Sequence, residues 1–178
     1  MASPQPKLVL WVGPKHSGKT TAAGRLVARA RRGGIAVAGL LAYSVYRGGE
    51  LTGFDAVDLH TGVRCPLAGC DDGGAEQVGL FSFGDEGLAF GKAALESAVA
   101  RSASLVVVDE FGPLELHGGG WRQAVDSLLA AAGGVILLVV REELTADVSR
   151  LYGRLHPQTL NALEPASIER VLDLLKNQ

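Results

Sequence analysis

Eight residues, Gly13-Pro-Lys-His-Ser-Gly-Lys-Thr20, limit what this chain can fold into more than any others. The spacing G-x-x-x-x-G-K-T lets backbone N–H groups converge on a phosphate, adds the Lys19 ammonium as a point charge, and leaves the Thr20 hydroxyl for Mg²⁺. Such a loop works between a strand and a helix, because the helix N-terminus brings unpaired N–H groups and the positive end of its dipole. Both neighbours are present. Leu8-Val-Leu-Trp-Val12 is an uninterrupted apolar run, as in a strand covered on both faces. Ala22, Ala23, Leu26, Val27 and Ala30 recur on one helical face, with Arg25, Arg29 and Arg32 opposite, and Gly33-Gly34 stops the helix. The expected nucleotide cradle is therefore Gly13, Pro14, Lys15, His16, Ser17, Gly18, Lys19, Thr20 and Thr21.

A second signal is Leu105-Val-Val-Val-Asp109-Glu110, an apolar strand that delivers two carboxylates at its C-terminal edge, where ligands sit in open α/β sheets. An acidic pair can simply end a strand, but a phosphate loop upstream makes this the Walker B pattern. Asp109 would hold Mg²⁺, directly or through a water, together with Thr20; Glu110 would orient or deprotonate the attacking water. Lys19 and Glu110 are thus the catalytic candidates, and Thr20 and Asp109 the metal candidates.

The remaining patterns fill in an α/β fold. Strands are expected at Lys7 to Val12, Ile35 to Leu41, Leu105 to Asp109, Val135 to Val140 and Thr159 to Leu163, in a largely parallel sheet. Helices are expected from Gly87 to Arg101, weakened by Gly91, and along Trp121, Ala124, Val125, Leu128, Leu129 and Ala132. A helical stretch between Leu144 and Leu155 carries Arg150 and Arg154, either of which is a candidate internal arginine finger. Ser167 is expected to cap a last helix bearing Ile168, Val171, Leu172 and Leu175. Between Tyr43 and Leu67, glycine turns flanked by β-branched and aromatic residues predict antiparallel hairpins lying against the sheet, with a bulge where the apolar phase shifts between Ala56 and Val57. Cys70-Asp-Asp-Gly-Gly-Ala75 reads as a loop, and Gln77 to Phe83 as one short strand with Phe81 and Phe83 on the same face. Arg141 follows an apolar strand at the ligand edge, in reach of a phosphate, although pairing with Glu142 or Glu143 is the more ordinary fate of such an arginine.

The 178 residues suit one domain, 1–178, that needs no staples. Lys+Arg 17 against Asp+Glu 19 gives a net charge of -2, so nothing points to a general affinity for nucleic acid or anionic lipid, and few aromatics argue against a stacking platform for single strands. No apolar run approaches the roughly 20 residues that span a bilayer, and Met1-Ala-Ser-Pro lacks a signal peptide's apolar core, so the expected location is the cytoplasm. Cys65 and Cys70 lack a second pair to complete a tetrahedral zinc set and are read as reduced.

Three segments together resemble the THEP-type nucleoside-triphosphatases, small P-loop enzymes related in fold to the RecA and AAA+ core. They are Gly13 to Thr21; Gly53-Phe-Asp55 with Leu59, Gly62, Arg64 and Leu67-Ala68; and Val108-Asp-Glu-Phe-Gly-Pro-Leu-Glu115-Leu116. The resemblance covers nearly the whole chain. It implies a P-loop fold with an antiparallel hairpin insertion at about 43–67, and slow hydrolysis of ATP, GTP and related triphosphates with Mg²⁺. It also implies the roles already inferred for Thr20, Asp109 and Glu110. The chain departs from the family pattern at Pro113-Leu114, where Lys-Met is usual, and only Asn161 echoes a late Asn-Arg-Asp-like segment.

Two other readings stay open. The loop is also similar to that of MobB, the GTP-binding partner in molybdopterin guanine dinucleotide synthesis, which makes a nucleotide-binding adaptor possible; the Asp109-Glu110 pair and Glu115 favour the triphosphatase. A small kinase needs an acceptor pocket and an arginine-bearing lid, for which Arg141, Glu142, Arg150 and Arg154 are modest material. Pro14 argues against the dimeric motor class, which places an extra lysine directly after the first glycine. With no Asn-Lys-x-Asp element, rigid guanine selection is not expected.

Overall fold

The apolar run before the phosphate loop forms β1 (Lys7–Gly13), and the two other apolar runs form β7 (Leu105–Asp109) and β8 (Val135–Arg141). In the computed structural model, which describes residues 5–70, 76–131 and 133–177, these strands are parallel neighbours. Between β1 and β7 the chain makes α1 (Lys19–Arg32), β2 (Val37–Arg47), β3 (Glu50–Asp58), β4 (Arg64–Gly69), β5 (Glu76–Val78), β6 (Phe81–Phe83) and α2 (Asp85–Ala100). After β7 come α3 (Pro113–Leu116) and α4 (Arg122–Ala131). After β8 come α5 (Thr145–Leu151), β9 (Gln158–Asn161) and α6 (Pro165–Lys176). Among the described residues the strands make one sheet in the order β5-β6-β4-β3-β2-β7-β8-β1-β9.

Helices cover both faces of the parallel half, which is why β1, β7 and β8 carry no polar alternation. Val9, Trp11, Val107, Leu137 and Val139 pack with Leu26 and Val27 of α1 and Val171 and Leu175 of α6. Leu8, Leu10, Val106, Val108 and Leu138 face Leu95 of α2 and Val125 and Leu128 of α4. Each fully buried Leu or Val there contributes roughly 1.5–3 kcal/mol relative to exposure. Trp11 is buried completely, and its indole N–H donates to the carbonyl of Lys19, tying the start of α1 to the strand it follows. Gly91, a poor helix former, has a packing reason: a Cβ there would lie 2.5 Å from the Trp121 ring.

The antiparallel part continues the sheet rather than lying against it. Only Val37 to Leu40 of β2 pair with β7; the strand then runs on past the sheet edge to Arg47, paired with β3. Gly48 and Gly49 close that hairpin with φ of 58° and 87°, the two left-handed residues of a tight turn matching the strand twist. The register shifts fall at Val45/Tyr46 and at Phe54/Asp55, not between Ala56 and Val57, which pair regularly with Cys65 and Arg64. The apolar phase breaks there because Asp58 is buried, accepting from the His60 N–H and the Thr61 hydroxyl at 2.8 Å each. The appendage also runs beyond 67: β5 and β6 form a further hairpin through Gly79, where one strand was expected, with Phe81 and Phe83 on a common face.

Gly112-Pro113 opens the short α3. One smaller expectation changes. Ser167 is the third residue of α6, buried, and the helix starts at Pro165 after Glu164. Ala132 and residues 71–75 lie outside the described residues. No helix among the described residues is long and apolar enough to cross a membrane.

Candidate functional site

The loop between β1 and α1 brings the cradle residues to the C-terminal edge of the parallel strands. Lys15 to Thr21 line a cavity of about 630 Å³, whereas Gly13 and Pro14 are not among its lining residues. Gly13 is buried at the end of β1, and a Cβ there would press on Ser17 Oγ at 3.1 Å and the Lys19 stem at 3.2 Å. His16 and Gly18 are left-handed, with φ of 59° and 96°. These turns wrap the chain around the helix N-terminus, whose first N–H groups have no intrahelical partner. Ser17 Oγ is buried without a hydrogen-bond partner.

Lys19 is 7% exposed, and its ammonium donates to the Pro14 carbonyl at 2.7 Å. Burial pulls its pKa below the ordinary value, while the charges of Glu110 and Asp109 push it back up. Both acids line the same cavity. Asp109 ends β7, 3% exposed, and accepts from the Thr20 hydroxyl and from the Ala42 N–H of β2 at 3.1 Å. Burial pushes its carboxyl up to about 7, with Glu110 adding to the rise and the two hydrogen bonds opposing it.

Arg141 decides how Glu110 is held. It ends β8, beside β7 on one side and opposite Gly13 of β1 on the other. Its guanidinium lies 2.6 Å from Glu110 Oε1, not on Glu142 or Glu143 as expected of an exposed arginine, and its Nε is buried without a partner. The site therefore sets Lys19 and Arg141 against Asp109 and Glu110. Glu115 serves as a brace: buried in α3, it accepts from the N–H groups of Gly112 and Trp121 at 2.9 and 3.2 Å, fixing the loop after Glu110. Arg150 pairs with Asp147 on the surface, and neither it nor Arg154 lines the cavity.

This assembly has known counterparts. Residues 9–166 match the family described as NTPase. The chain belongs to the THEP1-type nucleoside-triphosphatases. It is 32% identical over 150 residues to nucleoside-triphosphatase THEP1 of Methanothermobacter thermautotrophicus (80% of this chain, 81% of that one). It is 30% identical over 173 residues to the Thermococcus kodakarensis THEP1 (92% and 93%), and 33% identical over 140 residues to a cancer-related nucleoside-triphosphatase homolog of Bos taurus (72% of each). The solution structure of a human cancer-related nucleoside triphosphatase superposes with a TM-score of 0.73 at 24% identity, covering 96% of both chains. The crystal structure of THEP1 from Aquifex aeolicus gives 0.71 at 21%, covering 94% and 98%; at these identities the two structures establish the fold. Hydrolysis of nucleoside triphosphates is the chemistry that THEP1-type membership assigns.

In this THEP1-type site, the Arg141–Glu110 contact was hidden from sequence reasoning, as was the Ala42 N–H that steadies Asp109. The available signal was the apolar run ending in Arg141, which marks a strand delivering a cation at the ligand edge. Pro113 and Leu114 both line the cavity. The donors at Thr20 and Asp109 are hard oxygens, the type that suits Mg²⁺.

Asp109 also makes a prediction about stability. Its carboxyl is raised in the folded chain, so folding favours the protonated form. The charge penalty is absent below the ordinary value of 3.8, grows as pH rises, and is complete above about 7. Without metal or nucleotide, wild type should lose stability over that interval. Above pH 7, Asp109→Asn should melt higher than wild type. Thermal melts in chelator across the interval check this; equal pH dependence in both proteins would contradict it.

Proposed function

We propose that the chain hydrolyses nucleoside 5′-triphosphates, ATP and GTP among them, with Mg²⁺, by in-line attack of water on the γ-phosphorus. One observation carries the reading: a single cavity gathers the phosphate loop, Lys19, the Thr20–Asp109 pair and Glu110. Backbone N–H groups of the loop would bind the phosphates, and the Lys19 ammonium would leave the Pro14 carbonyl for the β- and γ-oxygens. Thr20 and Asp109 would hold Mg²⁺, which when bound neutralises charge developing on those oxygens. Glu110 would orient the attacking water and take its proton.

Arg141 gives this reading a resting state. Its guanidinium now occupies Glu110 Oε1, and its free Nε lies at the phosphate edge. An arriving γ-phosphate would draw the guanidinium across, freeing the carboxylate for water and adding a cation to the transition state. Arg141→Gln should lower kcat about a hundredfold, with KM changed only a few-fold, because arginines placed on the transferred phosphoryl act mainly in the transition state. An unchanged kcat would reduce Arg141 to a structural partner of Glu110. The reading as a whole is tested by phosphate release from ATP and GTP before and after chelation of Mg²⁺. Release that stops on chelation and returns on adding Mg²⁺ supports it, and metal-independent release contradicts it.

A further inference from the structure

The cavity is larger than the phosphate grip needs, and its two ends differ in chemistry. One end is the loop with Lys19 and Arg141. The other is walled by Phe54, Leu67, Phe81, Phe83, Leu88 and Trp121, with Tyr46 and Leu80 exposed at its mouth. Phe54 and Phe81 meet edge to face at 5.1 Å, so the wall is a packed aromatic surface. The sheet order separates the two ends. The loop follows β1 and Arg141 ends β8; β7 delivers Glu110 between them and the overhanging β2, β3, β4 and β6, which build the apolar end.

In-line geometry gives that separation a meaning, provided the hydrolytic reading above holds. Lys19 and Thr20 meet the β- and γ-phosphates, and the residue that aligns the nucleophile stands on the far side of the γ-phosphorus from the leaving group. The nucleoside therefore extends away from Glu110, and the apolar compartment lies on the attacking side. Its described lining residues bring no cation beyond those on the phosphate side, and the Glu115 oxygens there are taken by Gly112 and Trp121. The other polar side chains at that end are the neutral hydroxyls of Tyr43, Ser44 and Tyr46, so a charged molecule would be desolvated there without a counter-ion.

We propose that this compartment binds a neutral, aromatic-bodied alcohol and that the site transfers the γ-phosphoryl group to its hydroxyl. The hydroxyl oxygen forms a bond to the γ-phosphorus and the bond from that phosphorus to the β,γ-bridging oxygen breaks. The hydroxyl proton passes to the Glu110 carboxylate, and the nucleoside diphosphate leaves with the bridging oxygen. Hydrolysis is the same transfer with water in the alcohol's place.

The test uses 2-phenylethanol and benzyl alcohol as probes, with ATP and Mg²⁺, followed by ³¹P NMR. A phosphate monoester should appear beside ADP, at the expense of free phosphate. In Phe81→Asp the ratio of ester to free phosphate should fall roughly tenfold or more, since the ring would have to pack on a charge. Leu80→Asp, at a position 84% exposed, gives a second variant whose folding does not depend on the side chain, and its ratio should fall too. Saturation transfer from protein to the 2-phenylethanol ring should persist when the nucleotide site is filled with a β,γ-methylene ATP analogue. Free phosphate as the sole product while ATP is consumed would overturn the acceptor site and leave the hydrolase. Displacement of 2-phenylethanol by the analogue would also overturn it, assigning the compartment to the nucleotide's own base. Failure to bind or consume ATP would overturn the hydrolytic reading, and this one with it.

Discussion

Lys19→Ala is expected to lower the affinity for nucleoside triphosphates about a hundredfold and to abolish detectable turnover. The magnitude follows from the roughly 1.5–3 kcal/mol that a hydrogen bond to a charged group contributes, doubled in part because one ammonium meets two phosphates. The ground state favours a clean result. Lys19 is buried, and that burial already disfavours its charged form, while its ammonium donates to the Pro14 carbonyl. Truncation should therefore leave the fold standing, and a melting temperature within a few degrees of wild type is the control. Titration of a fluorescent triphosphate analogue reads the affinity; retained tight binding would sink the phosphate-loop assignment.

Glu110→Gln should separate binding from chemistry. The amide keeps the size of the carboxyl and an oxygen for Arg141, so the 2.6 Å contact can be replaced by a neutral one. It cannot accept the proton of an attacking water, and general-base catalysis is worth typically 10²–10⁴-fold. Turnover should fall by about that factor while nucleotide affinity holds. An adaptor that only senses nucleotide would show no such split, because nothing in its function passes through Glu110.

The two variants act on residues that were readable before the fold was known, and the reason is local. The loop spacing and the apolar runs of β1, β7 and β8 express constraints within a few residues: backbone amides aimed at a phosphate, and strands covered on both faces. The features that were not readable depend on strand order. Arg141 has Glu142 and Glu143 beside it in sequence, yet it meets Glu110 because β7, β8 and β1 are neighbours in the sheet. The bulge expected between Ala56 and Val57 failed for a related reason. Buried Asp58 satisfies the turn at His60 and Thr61, so a polar residue sits at an inward position without any change of register. The apolar compartment was out of reach as well, since its walls come from β3, β4, β6, α2 and the loop before α4.

The most direct measurement is phosphate release from ATP, GTP, CTP and UTP with Mg²⁺, for wild type and Glu110→Gln, with no partner protein added. Slow release from several nucleotides, lost in the variant while its nucleotide binding is retained, is the predicted result. Release that continues unchanged in the variant, or tight binding with no release above it in wild type, would contradict a triphosphatase that works through Glu110.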